Sequence, residues 1–235
     1  MIPIIGIPVL NRGDLLFRCI RSIDYPFDKL VIVNNGGDPG VKAVCEQLGD
    51  ELATKLTTYC PGRNLGVSAS WNWIIQNFPN AEYWLLVGND IMFTPGDLAK
   101  MDRFIREHLH YVTMPANQGH SLFAVTKHGW ETIGAFDENY YPAYLEDSDH
   151  MYRVKLASAE WADVPDVHAI HGEAPTFGSH TIYADRELFE RNQQTHAANF
   201  EYYKTKWGGP PGAEIFAVPY NDEAYSIKAW KTPRQ

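Results

Sequence analysis

The sequence predicts an α/β fold in which helices flank a mostly parallel β-sheet. Over the first 90 residues, apolar runs alternate with amphipathic helical segments in the order β-α-β-α-β-α-β. Short connections between such alternating elements imply right-handed crossovers and parallel strands. The apolar run Trp84–Val87 has no polar interruption, as expected for a central strand that is buried on both faces.

The four strands of this first half are predicted from apolar, β-rich runs at Ile2–Leu10, Leu30–Val33, Lys55–Tyr59 and Trp84–Val87. Apolar residues at helical spacing between them predict three helices, over residues 15–23, 41–48 and 67–78. Asp14 is the predicted N-cap of the first helix. A polar, glycine-rich turn follows each strand, so we expect ligand-binding groups at the carboxyl edge of the sheet.

The second half is less regular and predicts a smaller subregion beside the main sheet. Helices are predicted over residues 98–109, 127–133, 146–156 and 185–206, and strands over residues 111–114, 122–125 and 162–170. Pro165 places the last of these strands at an edge or a bulge. The final 25 residues are broken by Pro and Gly and are expected to wrap the surface. No repeat or low-complexity linker occurs, which favours one domain over residues 1–235.

Charge, cysteine content and hydrophobicity argue against several classes of protein. The net charge of −9 disfavours a broad nucleic-acid footprint without excluding a local basic patch. The three cysteines match no zinc motif and their odd number indicates no disulfide framework. No signal peptide and no apolar run of about 18 residues is present. We therefore expect a cytoplasmic protein without an integral membrane segment.

The segment Gly88-Asn89-Asp90 ends the central strand and is the first candidate for chemistry. A carboxylate at the end of a buried strand is costly unless it is paired or bound to a cation. Taken alone, Gly-Asn-Asp is more often a plain turn. Neither a dinucleotide-binding GxGxxG nor a P-loop is present, so the kind of ligand must be inferred from other motifs.

Several motifs in order resemble one family. They are Ile7-Pro8-Val9-Leu10-Asn11-Arg12, Val31-Ile32-Val33-Asn34-Asn35-Gly36, Asn64-Leu65-Gly66 with Asn72, Gly88-Asn89-Asp90, Gly134-Ala135-Phe136-Asp137-Glu138, Glu146-Asp147-Ser148-Asp149 with Arg153, and His171. Together they resemble GT-A fold glycosyltransferases, specifically the large inverting family 2. The resemblance spans roughly residues 2 to 175 and implies a Rossmann-like GT-A sheet. It divides the chain into a nucleotide-sugar half (1–95), an acceptor and catalytic half (96–183) and a C-terminal helix with a tail (184–235).

The resemblance implies a nucleotide-sugar donor, which we expect to be a UDP-sugar, and a divalent cation. Asp90 and His171 are the implied ligands of Mn²⁺ or Mg²⁺, because oxygen and imidazole donors suit such ions. Away from this family, His171 would be read as a strand-end histidine bonded to backbone. The implied nucleotide-binding residues are Pro8, Asn11, Asn34, Asn35, Arg63, Gly66 and Asn89. Arg63 is nearly as easily read as a plain surface residue.

The same resemblance implies that Asp147 is the general base for an acceptor hydroxyl. Glu146 would contact hydroxyls of the acceptor or donor sugar, and Asp149 is the alternative base. Neighbouring carboxylates raise one another's pKa, which would help a base to work near neutral pH. The structural alternative is a helix N-terminus decorated with acids. Four aromatic residues could form a platform for a carbohydrate or other hydroxyl-bearing acceptor, or could equally be core residues: Trp130, Tyr140, Tyr141 and Tyr144.

Two departures from the family pattern keep other functions open. Gly88 occupies the first D-x-D position, so one carboxylate remains there, and Asn34-Asn35 replaces a common Asp. One alternative is a sugar-nucleotide nucleotidyltransferase, although Asn11-Arg12-Gly13-Asp14 is a poor match to its basic glycine-rich loop. The other is a non-catalytic module that binds nucleotide or carbohydrate. The sequence leaves the donor, the acceptor and the oligomeric state undetermined.

Overall fold

The computed structural model describes residues 1–108, 112–115, 118–172 and 186–228. Its strands are β1 (Ile2–Val9), β2 (Phe27–Asn34), β3 (Leu56–Tyr59), β4 (Tyr83–Val87), β5 (Ile91–Met92), β6 (Val112–Pro115), β7 (Leu122–Thr126), β8 (Trp161–Val164) and β9 (Ile170–His171). Its helices are α1 (Gly13–Arg21), α2 (Pro39–Leu52), α3 (Val67–Asn77), α4 (Asp97–His108), α5 (Lys127–Ile133), α6 (Glu146–Leu156) and α7 (Arg186–Trp207). The ends of three predicted elements, Leu109, Tyr111 and Asp185, lie outside the described residues. So do the predicted boundary between residues 183 and 184 and the last seven residues of the predicted tail.

The described strands form a seven-stranded sheet in the order β3-β2-β1-β4-β7-β6-β8. β1 pairs in parallel with both β2 and β4, and β7 is the antiparallel member of this sheet. The predicted mostly parallel α/β sheet is therefore confirmed. β2 and β3 lie on one side of β1, and β4 lies on its other side, so the chain changes the direction in which it adds strands between β1 and β4. In open α/β sheets, ligands bind at the carboxyl ends of the strands at such a switch point.

Apolar side chains pack on both faces of the sheet, which explains the uninterrupted hydrophobic strands. One cluster joins alternate residues of β1, β2 and β4 to α1, α2 and α4. The other joins the opposite faces of the same strands to α3, α5 and α6. All five residues of β4 are buried, as the central position of the strand requires.

The start of α1 differs from the prediction that Asp14 is its N-cap. The N-cap is Arg12, with a left-handed backbone at φ 63°, and Asp14 lies inside the first turn. There the Asp14 carboxylate accepts hydrogen bonds from the Arg12 guanidinium at 2.7 and 2.8 Å. An acidic residue in a first turn is stabilised by the helix dipole, so Asp14 still favours this helix start.

A second, two-stranded sheet corrects the predicted strand over residues 162–170. That segment is divided into β8, which joins the edge of the main sheet, and β9, which pairs antiparallel with β5. Pro165 and Asp166 form the turn after β8. The division matters because the β5–β9 pair brings His171 opposite Ile91, the residue after Asp90.

The C-terminal part packs against α5 and α6. The Tyr152 hydroxyl donates to the Phe216 carbonyl at 2.9 Å, and the Lys228 ammonium donates to the Glu131 carbonyl at 2.9 Å. Among the helices of the described ranges, none is both long enough and apolar enough to cross a membrane.

Candidate active site

A cavity of about 1040 Å³ opens at the carboxyl ends of β1, β2 and β4. Most of the residues that the sequence predicts to bind ligand line it. They are Pro8, Asn34, Asn35, Arg63, Gly66, Asn89, Asp90, Glu146, Asp147 and His171. Residues from distant parts of the chain thus meet in one cleft, at the position that the sheet topology favours.

The end of the cleft beside β2 offers groups suited to a nucleoside. The Asn34 side chain is buried, and its Oδ1 has no hydrogen-bond partner in the described residues. A buried acceptor without a partner is costly, so a ligand N–H or O–H would stabilise it. Asn35 is instead satisfied internally, since its Nδ2 donates to Ser70 Oγ at 2.8 Å and its Oδ1 accepts from the Leu65 amide at 3.1 Å.

Asn11 differs from the other predicted nucleotide contacts, because its side chain does not line the cleft. Its backbone carbonyl accepts a hydrogen bond from the Asn89 side chain at 3.2 Å. This bond ties the turn that carries Asp90 to the loop after β1. The side chain of Asn11 takes no part in this bond. Its Oδ1 is buried and has no hydrogen-bond partner in the described residues, and its contact with a nucleotide stays a prediction.

Gly66 has a conformational requirement as well as a place in the cleft. Its φ is +82°, and a Cβ there would lie 2.8 Å from the Pro142 carbonyl oxygen. The Val67 amide donates to that same oxygen at 2.7 Å. A side chain at residue 66 would separate the start of α3 from the loop before α6, so glycine keeps these two cleft walls together.

Asp90 and His171, the two residues expected to bind a metal, lie side by side in the cleft. His171 Nε2 lies 3.4 Å from Asp90 Oδ1, and the Gly172 amide donates to the Asp90 carbonyl at 2.9 Å. Two donor atoms that share one divalent ion at about 2.1 Å stand about 3 Å apart, so this separation fits an ion between them. Within the described ranges, no cluster of three or more acidic, His or Cys side chains offers a ligand set from protein alone.

Gly88 leaves a single carboxylate, that of Asp90, in this turn. A Cβ at Gly88 would lie 3.0 Å from Asp90 Oδ1 and 3.4 Å from the Ser121 carbonyl oxygen. A side chain there would require the Asp90 carboxylate to shift by a few tenths of an ångström. The arrangement of one Asp and one His leaves the remaining positions around an ion for ligand oxygens, and diphosphate oxygens are suitable donors.

Glu146 and Asp147 enter the cleft from the N-terminus of α6. The two residues before them, Tyr144 and Leu145, have left-handed backbones at φ 79° and 70°. Such conformations cost about 1–3 kcal/mol in non-glycine residues and are concentrated at functional sites. They turn the chain so that the first turn of α6 faces the cavity.

The pKa that rises in this acidic segment is that of Glu146. Burial first, and then the negative charge of Asp147, raise the pKa of Glu146 to about 8. Its Oε2 has no hydrogen-bond partner in the described residues. Glu146 is thus protonated at neutral pH and can donate a hydrogen bond to a ligand.

This raised pKa predicts a pH-dependent effect of Glu146→Gln. A glutamate in the unfolded chain titrates near about 4.3, so between that pH and about 8 the folded chain keeps a proton that the unfolded chain has lost. Stability of the wild type falls over this window, by roughly 1 kcal/mol per pH unit, and glutamine removes the loss. The melting temperature of the variant should exceed that of the wild type at pH 8 and match it near pH 4.5. Glu223→Gln, at an exposed position, controls for the lost charge, and an equal difference at both pH values would contradict the prediction.

Asp149 is not an alternative base, and that prediction is corrected. Its side chain is fully buried and lies outside the cleft. It accepts hydrogen bonds from Lys206 at 2.6 Å, from Trp207 at 2.8 Å and from Arg153 at 2.8 Å. Burial alone would raise the pKa of Asp149, but the charges of Lys206 and Arg153 outweigh it and lower that pKa. A carboxylate held in this way takes no proton from a substrate.

The predicted aromatic platform is divided between cleft and core. Tyr141 and Tyr144 line the cavity, and Tyr141 is 48% exposed. Tyr140 is buried against Tyr202, and Trp130 packs against Trp84 with ring centroids 6.5 Å apart. Tyr140 and Trp130 are therefore packed against other aromatic residues, and an acceptor platform stays a prediction for Tyr141 and Tyr144 alone.

Helix α7 supplies cleft residues that sequence analysis missed. Leu188, Arg191, Asn192 and Thr195 line the cavity at the spacing of one helix face. Asn199 Nδ2 donates to the Ala143 and Tyr144 carbonyls at 2.8 and 3.1 Å, so this wall is attached to the loop before α6. The i, i+3, i+4, i+7 spacing is present in the sequence, but its mostly polar residues also fit a solvated surface. His120 is a further missed residue, since Gly119 beside it indicates only a turn.

Residues 4–153, more than half of the chain, match the sequence profile of glycosyl transferase family 2. The chain belongs to this family. A search of curated proteins finds no significant match. The family assignment confirms the resemblance that the motifs indicated, and the matched segment includes Asp90, Glu146 and Asp147.

Solved structures of the same fold are distant in sequence. S. aureus TarS 1-349 in complex with UDP-GlcNAc is 15% identical, with a TM-score of 0.59 over 83% of this chain and 65% of that one. The mannosyltransferase PcManGT from Pyrobaculum calidifontis, in complex with GDP-Man and Mn²⁺, is 14% identical, with a TM-score of 0.62 over 83% and 63%. GalNAc-T7 with UDP, GalNAc and Mn²⁺ is 11% identical, with a TM-score of 0.65 over 74% and 44%. The chain spans less than two thirds of each structure, and these similarities establish the GT-A fold.

Proposed function

We propose that this chain transfers a glycosyl group from a nucleotide sugar to an acceptor hydroxyl, with inversion at the anomeric carbon. The observation that carries the proposal is that the Asp90–His171 pair and the Glu146–Asp147 pair line one cleft. Glycosyl transfer needs charge neutralisation at a leaving diphosphate and a base at the attacking hydroxyl. Membership of glycosyl transferase family 2 supports the same reaction.

The donor would bind along the β1–β2 side of the cleft. Asn34 Oδ1 is an unpartnered acceptor for an N–H of the base or a hydroxyl of the ribose. Arg63 lines the same cavity and makes no ion pair with another residue of the described ranges, so its charge is available to the diphosphate. The structures of TarS and PcManGT contain UDP-GlcNAc and GDP-Man, which supports a nucleotide sugar as the donor class. We propose a UDP-sugar.

Asp90 and His171 would hold a divalent cation, Mn²⁺ or Mg²⁺, which when bound neutralises charge on the leaving diphosphate. Their 3.4 Å separation and the place of Asp90 in the cleft support this assignment. Mn²⁺ is present in two of the structural relatives. The imidazole ligand favours Mn²⁺ over Mg²⁺, because Mg²⁺ prefers oxygen ligands.

In the reaction, Asp147 takes the proton from the acceptor hydroxyl while the oxygen of that hydroxyl attacks C1 of the sugar. The bond between C1 and the diphosphate oxygen breaks, and its electron pair leaves with the nucleoside diphosphate. Attack from the side opposite the leaving group inverts the anomeric configuration. Protonated Glu146 would donate a hydrogen bond to a substrate oxygen, and the α7 face with Tyr141 and Tyr144 would contact the acceptor.

The proposal is tested by measuring release of nucleoside diphosphate from UDP-, GDP- and dTDP-sugars, with and without Mn²⁺. Turnover that depends on the metal would support transfer, and NMR of the product would report whether the configuration is inverted. Tight nucleotide-sugar binding without turnover for any acceptor would favour the non-catalytic module. Neither turnover nor binding for any donor would refute the nucleotide-sugar assignment.

Removing either proposed metal ligand should weaken Mn²⁺ binding. For Asp90→Asn and for His171→Ala we expect the Mn²⁺ Kd in the presence of UDP to rise by at least about 10- to 100-fold, because loss of a mere outer-shell partner already has that effect. Titration calorimetry or the EPR signal of free Mn²⁺ measures this without turnover. His168→Ala, three residues before His171 and outside the cleft, is the matched control. An unchanged Mn²⁺ Kd in both variants would place the metal elsewhere.

A further inference from the structure

His120 lines the cleft near the end of β4. It lies in the 3₁₀ turn Gly119–Ser121 between β6 and β7, and its side chain lines the cavity. The Gly88 amide donates to the Ser121 carbonyl at 2.7 Å, which fixes this turn to the end of β4. Since Asp90 follows Gly88 by two residues, His120 is held close to the proposed diphosphate end of the site.

His150 holds the His120 ring from the other side. His120 Nε2 lies 3.3 Å from His150 Nδ1, and His150 is 1% exposed on α6, three residues after Asp147. The two rings are surrounded by aromatic residues: Phe123 is 4.5 Å from His120 between ring centroids, and Phe136 is 4.3 Å from His150. The orientation of the His120 ring is therefore determined by contacts with both β7 and α6.

Both histidines are neutral at physiological pH. Burial lowers the pKa of His120 to about 4, although the negative charge of Asp147 acts in the opposite direction. Burial, the Arg153 charge and His120 lower the pKa of His150 well below its usual value. A neutral imidazole has one donor and one acceptor nitrogen, so with Nε2 committed to His150 the remaining His120 nitrogen is Nδ1.

The transferred sugar must lie between the diphosphate and the attacking hydroxyl. The first of these is assigned to Asp90 and His171, and the second to Asp147. His120 is tied to the strand end before Asp90 and, through His150, to the helix that begins with Asp147. We propose that His120 Nδ1 hydrogen-bonds to a hydroxyl or other polar substituent of the transferred sugar and thereby helps to select that sugar. This inference rests on the proposed function.

A purely structural role would not require a histidine at residue 120. His120 is only partly buried and faces the cleft, whereas a packing role in an aromatic cluster would be served by Phe. A hydrogen-bonding site rejects sugars that lack the matching group, because one of its polar atoms is then left unpaired. The inference therefore concerns the sugar and leaves the binding of the nucleotide unchanged.

The test compares the affinity of a nucleotide with that of its sugar conjugate. Titration calorimetry with Mn²⁺ would give the Kd for UDP, UDP-glucose, UDP-galactose and UDP-GlcNAc, and for GDP and GDP-mannose. For His120→Phe we expect about a tenfold loss of affinity for the preferred nucleotide sugar, with the Kd of the nucleotide within about twofold of wild type. His120→Asn places a polar atom near the position of Nδ1 and should recover part of the loss. His128→Phe, on α5 outside the cleft, is the control.

The outcomes separate this inference from the proposed function. If His120→Phe lowers the affinity for the nucleotide and for the nucleotide sugar by the same factor, the role of His120 is structural and the inference is overturned. An unchanged nucleotide-sugar affinity, or no recovery with asparagine, would overturn it as well. If the wild type binds none of these nucleotides, the proposed function itself fails, and the inference fails with it.

Discussion

Asp147→Asn is expected to lower kcat by about 10²- to 10⁴-fold, while the Kd for the nucleotide donor stays near that of the wild type. Asparagine preserves the size and polarity of the side chain but cannot accept the proton of the acceptor hydroxyl. The measurement is the initial rate of nucleoside diphosphate release at saturating donor and acceptor, with nucleotide binding followed separately by calorimetry.

Two other acidic residues serve as the control and as the competing candidate for this prediction. Asp163→Asn removes an exposed carboxylate of β8 outside the cleft and should leave kcat unchanged. Glu146 is the main competitor for the role, but its pKa of about 8 keeps it protonated at neutral pH, which makes it a poor base. An Asp147→Asn enzyme with more than a tenth of wild-type activity, together with an inactive Glu146→Gln enzyme, would transfer the role to Glu146.

Lys206→Met is expected to destabilise the folded chain by about 3–5 kcal/mol. Lys206 is fully buried near the end of α7, and its ammonium contacts Asp137 at 2.7 Å and Asp149 at 2.6 Å. The Asp149 carboxylate is shared with Arg153, which is also fully buried. Substitution by methionine removes the cation that both buried carboxylates contact, and a buried charge that loses its counter-ion is costly.

Thermal unfolding should show a melting temperature that is roughly 10 °C lower than that of the wild type. Urea unfolding should show a lower midpoint at an unchanged m-value. Lys204→Met is the matched control on the same helix. Lys204 pairs with Glu201 at 2.7 Å in a solvent-exposed position, and such pairs contribute less than about 1 kcal/mol. Equal effects of the two substitutions would show that the buried cluster has no special importance.

The order of elements and the place of the cleft could be predicted from the sequence. Trp84–Val87 is continuously apolar because β4 is buried on both faces, and this relation between burial and sequence is local. The polar turns after β1, β2 and β4 meet because parallel strands place their carboxyl ends at one edge. That geometric rule predicts ligand-binding groups at this edge, and the family resemblance implies that Pro8, Asn34 and Asp90 are among them.

Other features of the site depend on residues that are far apart in the chain. The motif Glu146-Asp147-Ser148-Asp149 presents three carboxylates with similar local context, yet the structure gives each a different environment. Asp147 and Glu146 line the cleft, and Asp149 points into the interior toward Lys206, which is 57 residues away. The helical period places Asp147 and Asp149 on different faces of α6. Which of these faces is buried depends on how α7 packs against α6.

The sequence by itself determined the α/β architecture, the family and the candidate residues Asp90, Asp147 and His171, because strand burial and short motifs are encoded locally. The tertiary structure alone decided that Asp149 is structural, that the Asn11 carbonyl holds a turn, and that α7 and His120 complete the cleft. These assignments depend on which distant side chains share a buried space. Burial and hydrogen-bond partners then set the charge state of each group, as the contrast between Glu146 and Asp149 shows.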